Sequence, residues 1–248
     1  MHLQFLGSGD AFGSGGRLNT CFLLDRAEGS LLIDCGASAM ISIRRFGIDP
    51  NRIAGIVLSH LHGDHFGGLP FFILDAQLVS RRTTPLMIVG PPGLAKRLEA
   101  IMEACFPGSA QAPRKFETET IELDLKTRTT VEPLAVAITP TPVRHPSGAP
   151  SMALRLECED RTIAYTGDTE WVDGLIEAGH NADVLIAEAY TFERRIPYHL
   201  DFASLRDNLS RLAAKRVVLT HMSPDMLSRD DRTLAGCERA FDGMLLDL

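Results

Sequence analysis

Six consecutive residues, His60-Leu61-His62-Gly63-Asp64-His65, place four metal-capable side chains in one short stretch and restrict what the surrounding chain can be. They follow Ile53-Ala54-Gly55-Ile56-Val57-Leu58-Ser59, an apolar, β-branched run that reads as a buried strand reaching its end. A strand alone sends alternate side chains to opposite faces. A loop leaving it, with Gly63 and then Gly67-Gly68 permitting tight turns, lets His60, His62, Asp64 and His65 converge. Convergence is what polydentate metal binding requires. Three imidazoles and a carboxylate at this density have no structural role that simpler side chains would not fill better, so the segment is expected to hold metal.

The remaining chain supplies scaffold and further candidates. Residues 2–6 read as a strand, and the glycine-dense stretch 7–16 leads to two more strands, 21–24 and 31–33, with no helix behind it. A dinucleotide fingerprint needs strand, glycine turn and helix in succession, so this loop is expected only to let strands pair. Residues 37–46 read as a helix ended by Gly47 and Pro50. A helix over 69–79 tolerates Pro70 in its first turn, and a strand over 86–90 and a helix over 94–105 follow. Residues 107–118 read as a surface loop. Strands are then expected over 121–125, 131–139, 151–158, 162–166 and 183–187, followed by a helix over 202–214 capped by Asp201 and a strand over 216–220.

Several of these strands end on chemistry-bearing residues: Val143-Arg144-His145, Tyr165-Thr166-Gly167-Asp168, Glu188, and His221 after Thr220. The candidate ligands are therefore His60, His62, Asp64, His65, His145, Asp168 and His221. Two divalent ions fit this set if one carboxylate bridges and each ion keeps an open position. Imidazole with carboxylate suits zinc, and manganese or iron suit more open or oxygen-rich sites.

Size and composition bound the rest. At 248 residues, with 45% hydrophobic and 23% charged residues, the chain suits one α/β domain spanning 1–248. A net charge of −7 offers no basic field to a phosphate backbone, which disfavours large nucleic acids. Cys21, Cys35, Cys105, Cys158 and Cys237 form no Cys-x-x-Cys pair and are expected to be reduced core thiols. Neither a signal peptide nor an apolar run long enough to span a membrane is visible, so a soluble, cytoplasmic protein is expected. A homodimer is compatible with this reading. His2 and His180 are expected at the surface, and Trp171 is expected to pack on the core.

Through His-x-His-x-Asp-His after a buried strand, nearly the whole chain resembles the metallo-β-lactamase-fold hydrolases. The resemblance implies a four-layered α/β/β/α sandwich with two metals at one edge of the sheets. It further implies that His60, His62 and His145 hold the first ion and Asp64, His65 and His221 the second, with Asp168 bridging. True β-lactamases of the fold carry cysteine at the bridging position, so Asp168 argues against antibiotic hydrolysis.

A narrower resemblance is to the branch containing transfer-RNA 3′-processing endonucleases (ribonuclease Z) and cyclic-nucleotide phosphodiesterases. It is carried by Gly7-Ser8-Gly9 with Asn19-Thr20, by Tyr165-Thr166-Gly167-Asp168-Thr169, and by Glu188-Ala189-Tyr190-Thr191 followed by His199 and Leu219-Thr220-His221. In that branch a carboxylate-histidine pair contacts the scissile phosphate, which implies catalytic roles for Glu188 and His199 beside Asp64. Ala187 departs from the endonuclease pattern, where histidine commonly precedes this glutamate. Only 22 residues separate His145 from Asp168, enough for a hairpin and too few for the endonuclease's substrate arm. The expected function is hence metal-dependent hydrolysis of a small, cyclic or related, phosphodiester. Hydrolysis of a lactone, thioester or other ester, transfer-RNA processing without the arm, and a non-enzymatic scaffold are the competing readings.

Overall fold

The computed structural model describes residues 1–248 and gathers fourteen strands into two seven-stranded sheets. The first half contributes β1 (His2–Gly7), β2 (Cys21–Asp25), β3 (Ser30–Ile33), β4 (Ile53–Val57), β5 (Leu86–Gly90) and β6 (Thr118–Glu122). Helices α1 (Ala39–Arg45), α2 (Gly63–Phe66), α3 (Leu69–Leu78) and α4 (Leu94–Cys105) lie between them. From β3 to β6 the strands run parallel, a connection that requires crossovers, and α3 and α4 supply two of these.

The second sheet comprises β7 (Thr129–Val131), β8 (Val136–Pro142), β9 (Met152–Cys158), β10 (Arg161–Tyr165), β11 (Val184–Glu188), β12 (Val217–Thr220) and β13 (Glu238–Arg239). Its helices are α5 (Gly174–Gly179), α6 (Phe202–Arg206), α7 (Leu209–Leu212) and α8 (Pro224–Leu227). The last strand, β14 (Leu245–Asp247), returns to the first sheet and pairs antiparallel with β1, Leu3 opposite Leu246. Because β9 is antiparallel to both β8 and β10, strands β8, β10, β11 and β12 all point the same way.

The alternation of strand side chains explains the layering. Leu31 and Ile33 of β3, Met87 and Val89 of β5, and Val184 and Ile186 of β11 enter a core between the sheets. Their neighbours Leu32, Leu86 and Ile88 face a second core under α1, α3 and α4. Leu185 and Ala187 face a third under α5 to α8. Strands buried on both faces read as unbroken apolar runs. The result is the expected four-layered α/β/β/α sandwich.

Four expectations fail locally. The strand over 121–125 lies instead at Thr118–Glu122 beside β5, and the chain then turns at Asp124, whose carbonyl accepts from the Thr127 amide at 3.1 Å. The strand over 131–139 is cut by the turn Glu132–Leu134 with Ala135 at φ 47°, because Pro133 lacks the N–H a ladder needs, so β7 and β8 form a hairpin instead. The helix over 202–214 keeps its Asp201 cap, which accepts from the Ser204 amide at 2.8 Å, but breaks at Asp207-Asn208. There the Asn208 side chain bonds back to the Ser204 carbonyl at 2.9 Å, competing with the helical backbone. All five cysteines are free, but Cys105 is exposed and not a core thiol.

Phe22 ties the two sheets together, its ring edge-on to Phe5 at 5.0 Å and to Tyr165 of the opposite sheet at 5.3 Å. It is fully buried. Phe22→Ala is expected to lower unfolding free energy by about 3–5 kcal/mol, read as a reduced midpoint in chemical denaturation.

Candidate metal centre and the histidine beside it

The candidate residues stand where strands end. His60 and the residues after it leave the carboxyl end of β4, and β8, β10, β11 and β12 deliver His145, Asp168, Glu188 and His221 from the facing sheet. The segment after β4 is partly a helical turn, not the plain loop expected: the His62 carbonyl accepts from the amides of His65 and Phe66, so Asp64 and His65 project from α2. Gly36 lets this turn approach, since a Cβ there would lie 2.2 Å from the Asp64 carbonyl oxygen. At Gly167, φ is +60° and a Cβ would lie 2.8 Å from the Met152 carbonyl oxygen, so the step from Tyr165 to Asp168 needs glycine.

Two groups of atoms from the predicted ligands result, and a third group joins Asp168 and His221 to Glu188 and His199. Those of His60, His62 and His145 lie within 4.8 Å of one another, as do those of Asp64, His65, Asp168 and His221. Asp168 Oδ2 stands between the groups, 3.3 Å from the Nε2 atoms of His65 and His221 and 3.9 Å from those of His60 and His145. His221 Nε2 is also 3.2 Å from Asp64 Oδ2.

Hydrogen bonds fix which nitrogen faces inward. His65 Nδ1 donates to Asp34 at 2.7 Å and His145 Nδ1 donates to the Tyr198 carbonyl at 2.9 Å, leaving both Nε2 atoms toward the centre. His60 Nε2, His65 Nε2 and Asp168 Oδ1 are buried with no hydrogen-bond partner. Each such orphan costs about 1–3 kcal/mol, and their convergence with imidazole and carboxylate donors fits a bound cation. The groups also offset one another in charge. Burial disfavours charge on His221, but Asp168, Asp64 and Glu188 outweigh it and lift its pKa to about 10. Burial and the neighbouring His65 keep His60 well below its ordinary value.

Glu188 and His199 also come together. Glu188 is fully buried and accepts from the Thr169 amide at 2.8 Å and from His199 Nδ1 at 2.6 Å. The His199 ring lies 5.0 Å from that of His145 and stacks at 5.9 Å on that of His221.

Sequence reasoning missed the supports. Asp34 is fully buried at φ 57° and accepts from the Ser59 amide and hydroxyl at 2.7 and 2.8 Å as well as from His65. Its signal was present, an acid directly after the apolar run Leu31-Leu32-Ile33, the pattern that marked Glu188. Glu170 accepts from the Tyr198 amide at 3.1 Å and pairs with Arg144 at 2.9 Å, holding Tyr198 at φ 70° so that its carbonyl reaches His145. The glycine-dense loop does more than join strands. The Ser8 carbonyl accepts from the His221 amide at 3.2 Å, and Asp242 anchors that loop through the Ser8 and Leu18 amides at 2.9 and 2.8 Å.

A family model described as Anti-Pycsar protein Apyc1 matches residues 1–237. Ribonuclease Z of Bacillus cereus (strain G9842) is 28% identical over 278 aligned residues, covering 90% of this chain and 89% of that protein. Human tRNase Z, short form, superposes with a TM-score of 0.76 at 26% identity, covering 100% of this chain and 99% of that one. The metallo-beta-lactamase fold protein YhfI from Bacillus subtilis superposes with a TM-score of 0.78 at 22% identity and 99% coverage of each chain. The sandwich described above is the metallo-β-lactamase fold of these neighbours.

Asp34 offers a test of the centre that needs no substrate. Asp34→Ala, which frees His65 Nδ1, is expected to weaken zinc binding by about 10–100-fold in competition against a chromogenic chelator. Unchanged affinity would remove Asp34 from any role in orienting His65.

Proposed function

This chain belongs to the Anti-Pycsar protein Apyc1 family and is a metal-dependent hydrolase, and we propose that it cleaves a small phosphodiester, a cyclic or similarly compact nucleotide, at a binuclear centre. His60, His62 and His145 would hold one ion and Asp64, His65 and His221 the other, with Asp168 bridging. Zinc suits the donors best, and manganese or iron are the alternatives. Such ions, when bound, acidify water and offset negative charge on phosphate oxygens.

The protein's own groups supply the rest. Asp64, at the edge of the centre, is placed to align the attacking water or take its proton. His199 spends Nδ1 on Glu188, which leaves Nε2 free to donate to the leaving oxygen. Burial works against a charged His199, but Glu188 outweighs it and raises the imidazole pKa above its ordinary value. The His199 side chain is 25% exposed and Glu188 not at all, so His199 is the group that meets substrate and Glu188 the one that positions it. This pair, packed beside both ligand groups, is the observation that carries the reading, because an alkoxide leaving group needs a proton and these two residues can deliver one.

The ribonuclease Z likeness favours a second reading, cleavage of transfer RNA. Against it, the hairpin of β9 and β10 occupies the interval between His145 and Asp168, and the net charge is −7. No arm lies there to grip a large polyanion.

With metal-loaded protein, turnover of bis(p-nitrophenyl) phosphate and of cyclic mononucleotides is expected, abolished by chelation. His199→Ala is expected to lower kcat on cyclic mononucleotides, whose leaving group is an alkoxide, by roughly 10²–10⁴-fold at unchanged metal content, while bis(p-nitrophenyl) phosphate and a p-nitrophenyl ester, whose leaving p-nitrophenolate needs no proton, are spared. Loaded protein that ignores every diester sinks the proposal, and turnover confined to precursor transfer RNA moves it to the second reading.

A further inference from the structure

A cavity of about 620 Å³ opens beside the candidate centre, and His199 is part of its wall. That volume lies within the roughly 300–1,000 Å³ of small-ligand sites. Its other walls are chained to functional residues. Arg144 directly precedes His145, Glu170 and Trp171 come just after Asp168, and Arg195 to Tyr198 lead into His199. Trp171 packs against the helix-side core of the second sheet, as the sequence suggested, and it also borders this cavity.

We propose that the cavity is the subsite for the nucleobase end of the substrate, with Trp171 as its stacking surface. The inference rests on the phosphodiester reading above. His199 belongs both to the surroundings of the ligand groups and to the cavity wall, so the substrate portion bonded to the leaving oxygen must extend past it. In a nucleotide diester that portion, or the ribose joined to it, carries the base.

Charge favours a neutral occupant over a second phosphate. Arg144 and Arg195 face the cavity together with Glu170, Asp201 and Asp207, and Arg144 is already paired with Glu170 at 2.9 Å. Three carboxylates against two guanidiniums and the His199 imidazole leave no net positive field for an added phosphate even with His199 protonated. A planar heterocycle, by contrast, gains from an aromatic face whatever its charge. A mononucleotide with its one diester at the ligand groups therefore suits the cavity better than an oligonucleotide or a pyrophosphate-bearing ligand.

Trp171 is the chain's one tryptophan, so intrinsic fluorescence reads the cavity directly. Metal-loaded protein titrated with adenosine or cytidine is expected to show saturable quenching, and inorganic phosphate is expected to give none. In kinetics, Trp171→Ala is expected to raise KM for a cyclic mononucleotide by about tenfold or more, with the larger part of the loss in KM and not in kcat, and Trp171→Phe is expected to restore most of it. Diester turnover without nucleoside quenching and without a KM change in either variant overturns the subsite and leaves the phosphodiesterase reading standing. No diester turnover at all overturns that reading instead, and absence of quenching then overturns the subsite on its own.

Discussion

Asp34 takes its hydrogen bonds from Ser59 and His65 in a place water does not reach, and much of the centre stands on that carboxylate. A buried charge costs several kcal/mol unless opposite charge and donated hydrogen bonds answer it. Here they are local. Asp34 faces His65, Asp168 faces His65 and His221, and Glu188 faces His199 and two backbone amides. Each acid thereby fixes the direction of an imidazole. The apolar layers on both sides of each sheet are what deny the cluster any other partner. A centre so arranged has its donors aimed by hydrogen bonds, which is how positioned donors become effective.

Much of this was legible in the sequence, for physical reasons. Strands buried on both faces must be continuous apolar runs, so β4, β5, β11 and β12 announce themselves, and β4, β11 and β12 end at chemistry-bearing residues. The hexapeptide after β4 and the lone residues His145, Asp168 and His221 were readable because each interrupts such a run. The supports were not. Asp34 stands after an apolar run as Glu188 does, but no local pattern tells that it accepts from Ser59 and His65. Glu170 matters only because Tyr198 approaches from 28 positions away.

The backbone conformations at Asp34, Tyr198 and His221 were equally hidden. All three have positive φ, at 57°, 70° and 56°. Non-glycine residues adopt that region reluctantly, and only contacts from distant segments hold them there. Local propensity carries no trace of such contacts. The breaks at Pro133 and at Asp207-Asn208 are of another kind, a short local preference that overrides a longer apolar pattern.

The two sheets share no strand ladder, yet neither ligand group is complete within one of them. His60 and His62 come from the first half of the chain and His145 from the second, and Asp64 and His65 stand across from Asp168 and His221 in the same way. An ion captured there would tether the halves as well as supply chemistry, because neither half alone completes a ligand group. Metal affinity and the cohesion of the sandwich are then one linked equilibrium, each strengthening the other. A cell that withholds metal from this protein withholds part of its architecture along with its chemistry.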